Sequence, residues 1–308
     1  MGRTVSQKPG RYESLKGFFT TQELSHLQKS TILLAGCGAG SNLAHLLARY
    51  GVGSKTKGAI ILADPGFVTE RNLVRQAYYE KDIGLKKANA LARSCLAINP
   101  NLNIKCVPVG ITLSNIDSLI QSSDLIFEMI DLSQPGVSFL LHQKAQEAHK
   151  PVIVTIDLGD NTLTRVFRNN SQSTTFSNYF GLPPKFLVSN FNQLNPYAVV
   201  ARLIIGPHHR PALSNSKMAI NYYCDQFFTR NNNLQKLLNN VPAEMKPLIT
   251  AIISGKFNYL PQTGIAGQIL GAVHMKLIQN ILTNKAVPDA NYPIKVYLSD
   301  IITKSNNN

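Results

Sequence analysis

The sequence predicts an α/β fold with a Rossmann-like, mostly parallel sheet, and three features of the chain support this class. Short apolar segments of strand length alternate with amphipathic helical segments through the first half, as in parallel βαβ units. A glycine-rich turn joins the first strand to a helix, and an acidic residue follows the second strand. The composition of the 308 residues, 44% hydrophobic and 16% charged, excludes a disordered chain.

The elements of the first half are predicted from caps, apolar runs and helical periodicity. Thr20 and Glu23 form a capping-box pattern that begins a short helix ending near Ser30. The next helix has leucines on one face, as an amphipathic helix against a sheet requires. The predicted strands are 31–35, 59–63, 103–107, 123–129 and 151–156, and the predicted helices are 41–50, 86–98, 116–120 and 139–149.

The alternation of strands and helices ends after Asp157. A strand at 162–167 is expected to return over the sheet, and the Ser/Thr/Asn-rich residues 169–180 are predicted to be a loop. Further elements are predicted as helices at 195–205, 215–228, 234–253 and 264–284 and a strand at 293–298. We therefore divide the chain into an N-terminal helical arm (1–30), a nucleotide-binding α/β domain (31–168), a helical insert or crossover forming the substrate region (169–260), and a closing helix and strand (261–308).

Charge and cysteine content restrict the partners and the compartment. The 31 Lys and Arg against 17 Asp and Glu give a net charge of +14, which attracts polyanions. The basic residues are scattered along the chain, which argues against nucleic acid as the main partner. No apolar run reaches the roughly 18 residues of a membrane span, and the N-terminus lacks a secretory apolar core. The four cysteines are widely spaced, so we expect a reducing, cytoplasmic location.

The glycine-rich turn is a candidate phosphate site. Gly36, Gly38 and Gly40 lie between a buried strand and a helix, where backbone amides can approach a phosphate. Asp64 ends the second strand, where a carboxylate can accept hydrogen bonds from ribose hydroxyls. Ser41 stands where the strict dinucleotide fingerprint has glycine, which weakens an NAD interpretation but keeps nucleotide binding. The alternative is a tight structural turn followed by a surface acid.

Two polar runs after the second strand are more specific. The first is Asn72-Leu73-Val74-Arg75-Gln76, and the second leads from Asp82-Ile83-Gly84 to Lys87-Ala88. With Arg11-Tyr12, the glycine turn, Asp64 and the segments 98–100 and 124–131, they resemble the ThiF/MoeB family, which includes the nucleotide-binding domain of ubiquitin-activating enzymes. The resemblance covers roughly residues 11–160 and returns at 260–272, in the family's order.

The resemblance implies a chemistry and a role for each matching residue. Members of the family use ATP to adenylate a carboxylate, usually the C-terminus of a ubiquitin-like or sulfur-carrier protein, and release pyrophosphate. The resemblance also implies a homodimer, which members of the family usually form. A carboxylate is already ionised at neutral pH, so the reaction needs phosphate charge neutralisation more than a strong base. By resemblance, Asp64 would hold the ribose, Asn72, Arg75 and Gln76 the nucleotide and its phosphates, Lys87 the charge developing on the α-phosphate, and Asp131 magnesium.

Each of these side chains also has an ordinary alternative, and three positions depart from the family pattern. Arg75 and Lys87 could be solvated surface charges, and Asp131 could cap a helix. The family commonly has a second acid at the position of Gly66 and a third turn glycine at Ala39. A second N-terminal arginine, which reaches the partner subunit's site, is replaced by Ser14, and Arg11 or Lys16 are the available substitutes.

The second half holds few candidates for chemistry. Cys224 is interpreted as a structural thiol rather than a catalytic one, because no neighbouring motif would activate it. The absence of paired cysteines argues against structural zinc, and His208-His209 is a weak metal candidate. Three hypotheses follow: an ATP- and magnesium-dependent adenylyltransferase, a nucleotide-binding interaction module that has lost catalysis, and an NAD-linked oxidoreductase.

Overall fold

The computed structural model describes residues 10–131, 135–180 and 262–296, together with 246, 247 and 250. The strands, in chain order, are β1 (Thr31–Ala35), β2 (Ala59–Ala63), β3 (Ile104–Val107), β4 (Leu125–Glu128), β5 (Val152–Leu158), β6 (Asn161–Phe167) and β7 (Ile294–Val296). Within the described residues they form one seven-stranded sheet in the order β3-β2-β1-β4-β5-β6-β7. All pairs from β3 to β5 are parallel, and β6 pairs antiparallel with both β5 and β7.

Helices cover both faces of this sheet. They are α1 (Thr21–Lys29), α2 (Gly40–Tyr50), α3 (Lys87–Ile98), α4 (Ile116–Gln121), α5 (Pro135–Glu147), α6 (Phe176–Phe180) and α7 (Gly264–Leu282). One apolar core lies between the sheet and α2, α3 and α7, and a second lies between the sheet and α4 and α5. The result is a three-layer α/β/α arrangement, which buries both faces of the parallel strands.

The first strand shows why the apolar runs form a central sheet. All residues of β1 are buried, and alternate side chains enter opposite cores. Ile32 and Leu34 pack on the side of α2 and α3, whereas Leu33 and Ala35 pack on the side of α4 and α5. Because β1 is flanked by β2 on one side and β4 on the other, the chain reverses its direction of winding there. In open α/β sheets, ligands bind at such a switch point.

The predicted fold class is confirmed, and so is the order of the elements that lie within the described residues. The segment predicted to return over the sheet is β6, which joins the sheet itself, antiparallel, between β5 and β7. The prediction of a loop throughout 169–180 is wrong, because Phe176–Phe180 is helical. Its aromatic rings are buried against Phe139 and Phe167, and this tertiary packing outweighs the polar composition of the preceding residues.

Several predictions concern residues outside the described ranges. The helices predicted at 195–205 and 215–228 fall there, as do His208, His209 and Cys224. Of the helix predicted at 234–253, only 246, 247 and 250 are described, and they are helical. The division into arm, α/β domain, insert and closing elements therefore stays a prediction. No helix among the described residues has the length and apolarity needed to cross a membrane.

Candidate nucleotide-binding site

Four parallel strands bring polar groups to one edge of the sheet. The glycine turn follows β1, Asp64 follows β2, Asp131 lies beyond the end of β4, and Asp157 is near the end of β5. Carboxyl ends of parallel strands meet at the same edge, so residues distant in sequence converge there. The turn and the end of β4 meet at the switch point between β1 and β4.

The backbone at the start of the turn requires glycine. Gly36 has φ +108°, and a Cβ built on it would lie 2.1 Å from the carbonyl oxygen of Met129. A Cβ on Gly38 would lie 3.1 Å from Nε2 of Gln76, and one on Gly40 would lie 3.4 Å from Sδ of Met129. The turn is therefore packed between the end of β4 and the segment that carries Gln76, and a side chain at Gly36 would push it off β4.

Asp64 holds the turn in place through backbone amides. Its Oδ2 accepts a hydrogen bond from the Cys37 amide, and its Oδ1 accepts one from the Gly66 amide, both at 2.7 Å. The hydroxyl of Tyr78 donates to the carbonyl of Cys37 at 2.8 Å. Burial raises the pKa of both Tyr78 and the Cys37 thiol, so both stay protonated. The predicted ribose ligand thus also braces the predicted phosphate turn.

Ser41 connects the turn to the polar run after β2. Its hydroxyl donates to the carbonyl of Gly38 at 2.7 Å and accepts from the amide of Ala77 at 2.8 Å. The side chain is fully buried. A glycine at this position, as in the strict dinucleotide fingerprint, would lose both bonds. These two hydrogen bonds explain why serine rather than glycine stands at position 41, which the sequence alone did not reveal.

The two amide side chains of the polar run have different surroundings. Asn72 is buried, and its Oδ1 accepts from both the amide and the hydroxyl of Thr69 at 2.9 Å, which caps the 3₁₀ turn Glu70–Asn72. Gln76 is buried against Gly38, and its Oε1 has no hydrogen-bond partner among the described residues. A buried acceptor without a donor is costly. Gln76 is therefore better placed than Asn72 to receive a donor from a ligand.

Arg75 is near enough to the acidic groups Asp157 and Asp131 to feel their charge. The side chain is half-buried, and burial lowers its pKa, while the negative charges of Asp157 and Asp131 act in the opposite direction. Its guanidinium stays charged at any ordinary pH. The arginine also borders an open cleft of about 320 Å³ between α2 and α7, with Arg49 and His45 on its far wall.

The start of α7 holds the main chain of this arginine. A Cβ on Gly264 would lie 2.7 Å from the carbonyl oxygen of Val74, and one on Gly267 would lie 2.9 Å from that of Arg75. The Arg75 carbonyl accepts a hydrogen bond from Nδ2 of Asn42 at 3.2 Å. Glycines in α7 thus allow a close approach of helix to backbone, which explains the late glycine-rich motif.

Lys87 and Asp64 flank the position where relatives commonly carry a second acid. Lys87 is the first residue of α3, and its amide donates to the Gly66 carbonyl at 3.0 Å. A Cβ on Gly66 would lie 3.0 Å from Oδ1 of Asp64 and 3.7 Å from Cδ of Lys87. The absence of a side chain at Gly66 leaves the lysine beside the Asp64 carboxylate and on the same side as the turn.

Asp131 is exposed at the end of the β4 segment. Carboxylate oxygens are hard ligands that suit Mg²⁺, which usually keeps waters and combines one or two carboxylates with substrate phosphates. Within the described ranges, no group of three or more His, Cys, Asp or Glu could hold a metal. Asp131 supplies one carboxylate of the kind that Mg²⁺ combines with substrate phosphates.

Asp157 is a further acidic group at this edge that the sequence analysis did not assign to the site. It is buried, and Nε2 of Gln262 donates to its Oδ1 at 2.6 Å. Burial raises the pKa of this carboxyl, and the charge of Arg75 and the bond from Gln262 act against the rise. Its position at the end of an apolar strand, like that of Asp64, is the signal that could have found it.

The N-terminal arm is bonded within its own chain. Nη1 of Arg11 donates to the carbonyl of Ile98 at 2.8 Å, and Nδ2 of Asn99 donates to the Tyr12 hydroxyl at 3.0 Å. Lys16 forms a 2.6 Å ion pair with Glu13. The two candidates to replace the missing second arginine are thus engaged locally, although exposed pairs of this kind are weak.

A Rossmann-like sheet with a glycine turn after β1 and a bonded acid after β2 defines an α/β nucleotide-binding protein. The model of the ThiF family matches residues 12–293, and the chain belongs to that family. The resemblance inferred from the motifs is thereby confirmed.

Curated relatives share only part of their length with this chain. Adenylyltransferase and sulfurtransferase UBA4 of Eremothecium gossypii is 25% identical over 161 residues, which cover 52% of this chain and 35% of the relative. The sulfur carrier protein ThiS adenylyltransferase of Bacillus subtilis is 32% identical over 109 residues, which cover 34% of this chain and 31% of the relative. The chain therefore spans about a third of the length of these two relatives.

Solved structures show the same fold over most of the chain. The E. coli MccB structure with MccA-N7isoASN has a TM-score of 0.60 at 13% identity and covers 95% of this chain and 70% of that one. The structure of PaaA has a TM-score of 0.56 at 16% identity and covers 90% of this chain and 64% of that one. At these identities, the likeness concerns the fold alone.

Proposed function

We propose that this protein is an ATP-dependent adenylyltransferase that activates a carboxylate as an acyl-adenylate. The proposed substrate is the C-terminus of a ubiquitin-like or sulfur-carrier protein or of a peptide. Membership of the ThiF family supports the reaction. Both relatives described above are named as adenylyltransferases, and the one from Bacillus subtilis is named for a sulfur carrier protein. The NAD-linked alternative loses its support, because it depended on the glycine turn and Asp64 alone.

The observation that carries the proposal is the convergence of cationic and amide groups at one edge of the sheet. The turn that starts at Gly36 is tied to Asp64, while Arg75 and Lys87 lie on the segments that pack against it. In the reaction, a carboxylate oxygen forms a bond to the α-phosphorus of ATP, the bond between the α- and β-phosphates breaks, and pyrophosphate leaves. Each change concentrates negative charge on phosphate oxygens, which fixed positive groups stabilise.

Each side chain has a proposed task. Asp64 would orient the ribose with lone pairs that its amide bonds leave available, and the partnerless Oε1 of Gln76 would accept a nucleotide donor. Arg75 would bind the phosphates, and Lys87 would stabilise the charge at the α-phosphate. The side-chain amide of Asn72 caps a local turn, so we assign Asn72 a supporting role in the shape of the nucleotide pocket.

We also propose magnesium, a homodimer and a cytoplasmic location. Asp131 would hold the magnesium ion, which when bound would neutralise part of the triphosphate charge. A partner subunit would complete the site if Ser14 has removed the usual N-terminal arginine from this chain's arm. The described cysteines, Cys37, Cys95 and Cys106, are free thiols, which is consistent with a reducing compartment.

The test is ATP–pyrophosphate exchange with candidate carboxylates, including small proteins with a free Gly-Gly terminus. Arg75→Ala and Lys87→Ala should each lower exchange by about 10²- to 10³-fold, the usual effect of removing one preorganised charge-stabilising group. Lys285→Ala is the matched control, because this lysine pairs with Glu23 far from the site. Exchange that survives both substitutions at the wild-type rate would refute the assignment.

A nucleotide-binding module that has lost catalysis is the second candidate. Gly66 in place of an acid and the local bonding of Arg11 and Lys16 favour it. This version predicts that calorimetry detects ATP binding while no carboxylate supports exchange or AMP formation. A single carboxylate that gives turnover would exclude it.

A further inference from the structure

A buried acid and a buried histidine lie directly under the β4 edge of the site. Glu128 is the last residue of β4, and it is only 5% exposed in a strand that is otherwise apolar. Its Oε1 accepts a hydrogen bond from the amide of Ile130, two residues further on, at 3.0 Å. The carboxylate therefore shapes the backbone immediately before Asp131.

The second oxygen of this carboxylate faces a histidine from α5. Nε2 of His142 lies 3.7 Å from Oε2 of Glu128, and the imidazole is fully buried. Neither ring nitrogen has a hydrogen-bond partner among the described residues. The ring stacks on Phe176 at 3.9 Å and meets Phe167 edge-on at 5.2 Å. The aromatic neighbours hold the imidazole so that one nitrogen points at the acid.

The backbone that Glu128 shapes contacts the glycine turn. The carbonyl of Met129 occupies the space that a Cβ on Gly36 would need, and Sδ of Met129 packs beside Gly40. The amide of Met129 also bonds to the carbonyl of Ala35 at 2.8 Å. A change in the path of residues 129–131 would therefore move the turn and Asp131 together.

Packing alone does not explain this pair. A carboxylate and an imidazole without full hydrogen bonding lose hydration on burial, and apolar residues of similar size usually serve stability as well or better. A phenylalanine would fill the stack on Phe176 equally well. The contribution of the pair must then lie in what Glu128 does to the β4 end.

We propose that Glu128 and His142 are positioning residues of the candidate nucleotide-binding site: His142 orients the Glu128 carboxylate, which fixes the residue 129–131 backbone against the glycine turn. This inference rests on the proposed function for its kinetic consequences, whereas its structural part can be measured independently at the Ile130 amide. Both residues are buried, and in this proposal they act on the site only through the backbone.

The decisive variant is His142→Phe, which keeps the aromatic stack and removes the group that faces Glu128. We expect a melting temperature equal to or above that of the wild type and faster hydrogen exchange at the Ile130 amide. The rate of ATP–pyrophosphate exchange should fall about tenfold or more, because small displacements at a reaction centre strongly reduce its rate. Glu128→Gln retains an acceptor for the Ile130 amide and should keep most of the protection and activity, whereas Glu128→Leu should lose both.

His274→Gln is the control, since it removes another fully buried imidazole on the opposite face of the sheet. It should leave Ile130 protection and the KM for ATP unchanged. Hydrogen exchange at the Ile130 amide as slow in His142→Phe as in the wild type would overturn the proposal. If His142→Phe does not fold, the comparison of Glu128→Gln with Glu128→Leu replaces it, and equal amide protection and activity in these two variants would overturn the proposal. A wild-type protein without ATP–pyrophosphate exchange activity would refute the proposed function instead. Hydrogen exchange at the Ile130 amide would still decide whether the two residues position the backbone.

Discussion

At the scale of single residues, several side chains predicted as ligands also have structural bonds. Asp64 accepts two backbone amides, Asn72 caps a 3₁₀ turn, and Ser41 joins the glycine turn to the amide of Ala77. These bonds explain why polar residues are needed at those positions even before a nucleotide is considered. A substitution there would consequently alter both stability and binding.

Ser41 provides the clearest prediction of this double effect. Ser41→Ala removes the acceptor of the partly buried Ala77 amide, so we expect the free energy of unfolding to fall by about 1 kcal/mol. ATP affinity should fall as well, because the turn and the arginine segment lose their connection. Urea denaturation and calorimetry measure the two effects.

Ser94→Ala is the matched control for Ser41→Ala. The Ser94 hydroxyl bonds to His45 and to the Leu91 carbonyl, away from the turn. It should alter stability without altering ATP affinity. Equal ATP affinities for wild type and Ser41→Ala would contradict a link between the turn and the Arg75 segment.

At the scale of elements, α7 connects the end of the chain to the site built by its first half. Its glycines approach the Val74 and Arg75 carbonyls, and Nε2 of Gln268 donates to Oδ1 of Asn42 on α2 at 2.9 Å. The capping Thr263 also bonds to the β5–β6 turn through the Gly159 carbonyl. A single helix start thus holds the arginine segment, α2 and the end of β5.

Two glycines on α7 distinguish close packing from helix propensity. Alanine in a helix interior usually adds up to about 1 kcal/mol over glycine. At Gly267, however, the new Cβ would lie 2.5 Å from Nδ2 of Asn42 and 2.9 Å from the Arg75 carbonyl oxygen. Gly267→Ala should therefore destabilise the fold by about 1–3 kcal/mol and weaken ATP binding.

Gly271→Ala serves as the comparison on the same helix. Its Cβ would meet the flexible end of Leu46 at 3.2 Å, so we expect a change in stability close to zero or slightly favourable. Thermal denaturation and ATP titration of both variants provide the measurement. Equal effects at the two glycines would show that the Arg75 backbone contact has no special importance.

At the scale of the whole molecule, the two cores bury neutral histidines on opposite faces of the sheet. His274 on α7 bonds to Thr155 of β5, and burial lowers its pKa from 6.5 to about 3. Burial also lowers the pKa of His142, although the Glu128 carboxylate acts against this shift. Both groups oppose protonation in the folded state, which links global stability to pH.

The sign of that link follows from the lowered pKa. The unfolded chain binds a proton at His274 below pH 6.5, and the folded chain does so only near pH 3, so this contribution to stability is complete above 6.5 and is lost as the pH falls toward 3. Denaturation between pH 7 and about 5.5 should show stability declining with acid, and the slope from this histidine should approach about 1.4 kcal/mol per pH unit once the unfolded histidine is mostly protonated.

His274→Gln should reduce the slope of the free energy of unfolding against pH by the contribution of one histidine. Glutamine does not titrate, but it can still form a hydrogen bond with Thr155. Gly271→Ala on the same helix is the control, because it removes no titrating group and should leave the slope unchanged. A His274→Gln profile parallel to that of the wild type would show that this histidine binds its proton equally in the folded and unfolded states, and would contradict the lowered pKa.

The sequence by itself determined the alternating α/β pattern, the glycine turn, the acid after β2 and the family. Those features are local: apolar runs set the strands, and glycine spacing sets the turn. It also predicted the order of the strands in the chain but not their order in the sheet, which depends on contacts between distant segments. The helix Phe176–Phe180 was missed for the same reason, since aromatic packing across α5 and β6 stabilises it.

Only the tertiary structure decided which polar groups share the edge of the sheet. Asp157 and Gln262 are 105 positions apart, and Glu128 meets His142 across two elements, so no local pattern predicts either pair. Serine in place of glycine at residue 41 likewise has a reason only once the Ala77 amide lies beside it. The chain's sequence thus specifies the parts of the site, whereas long-range packing decides which parts touch.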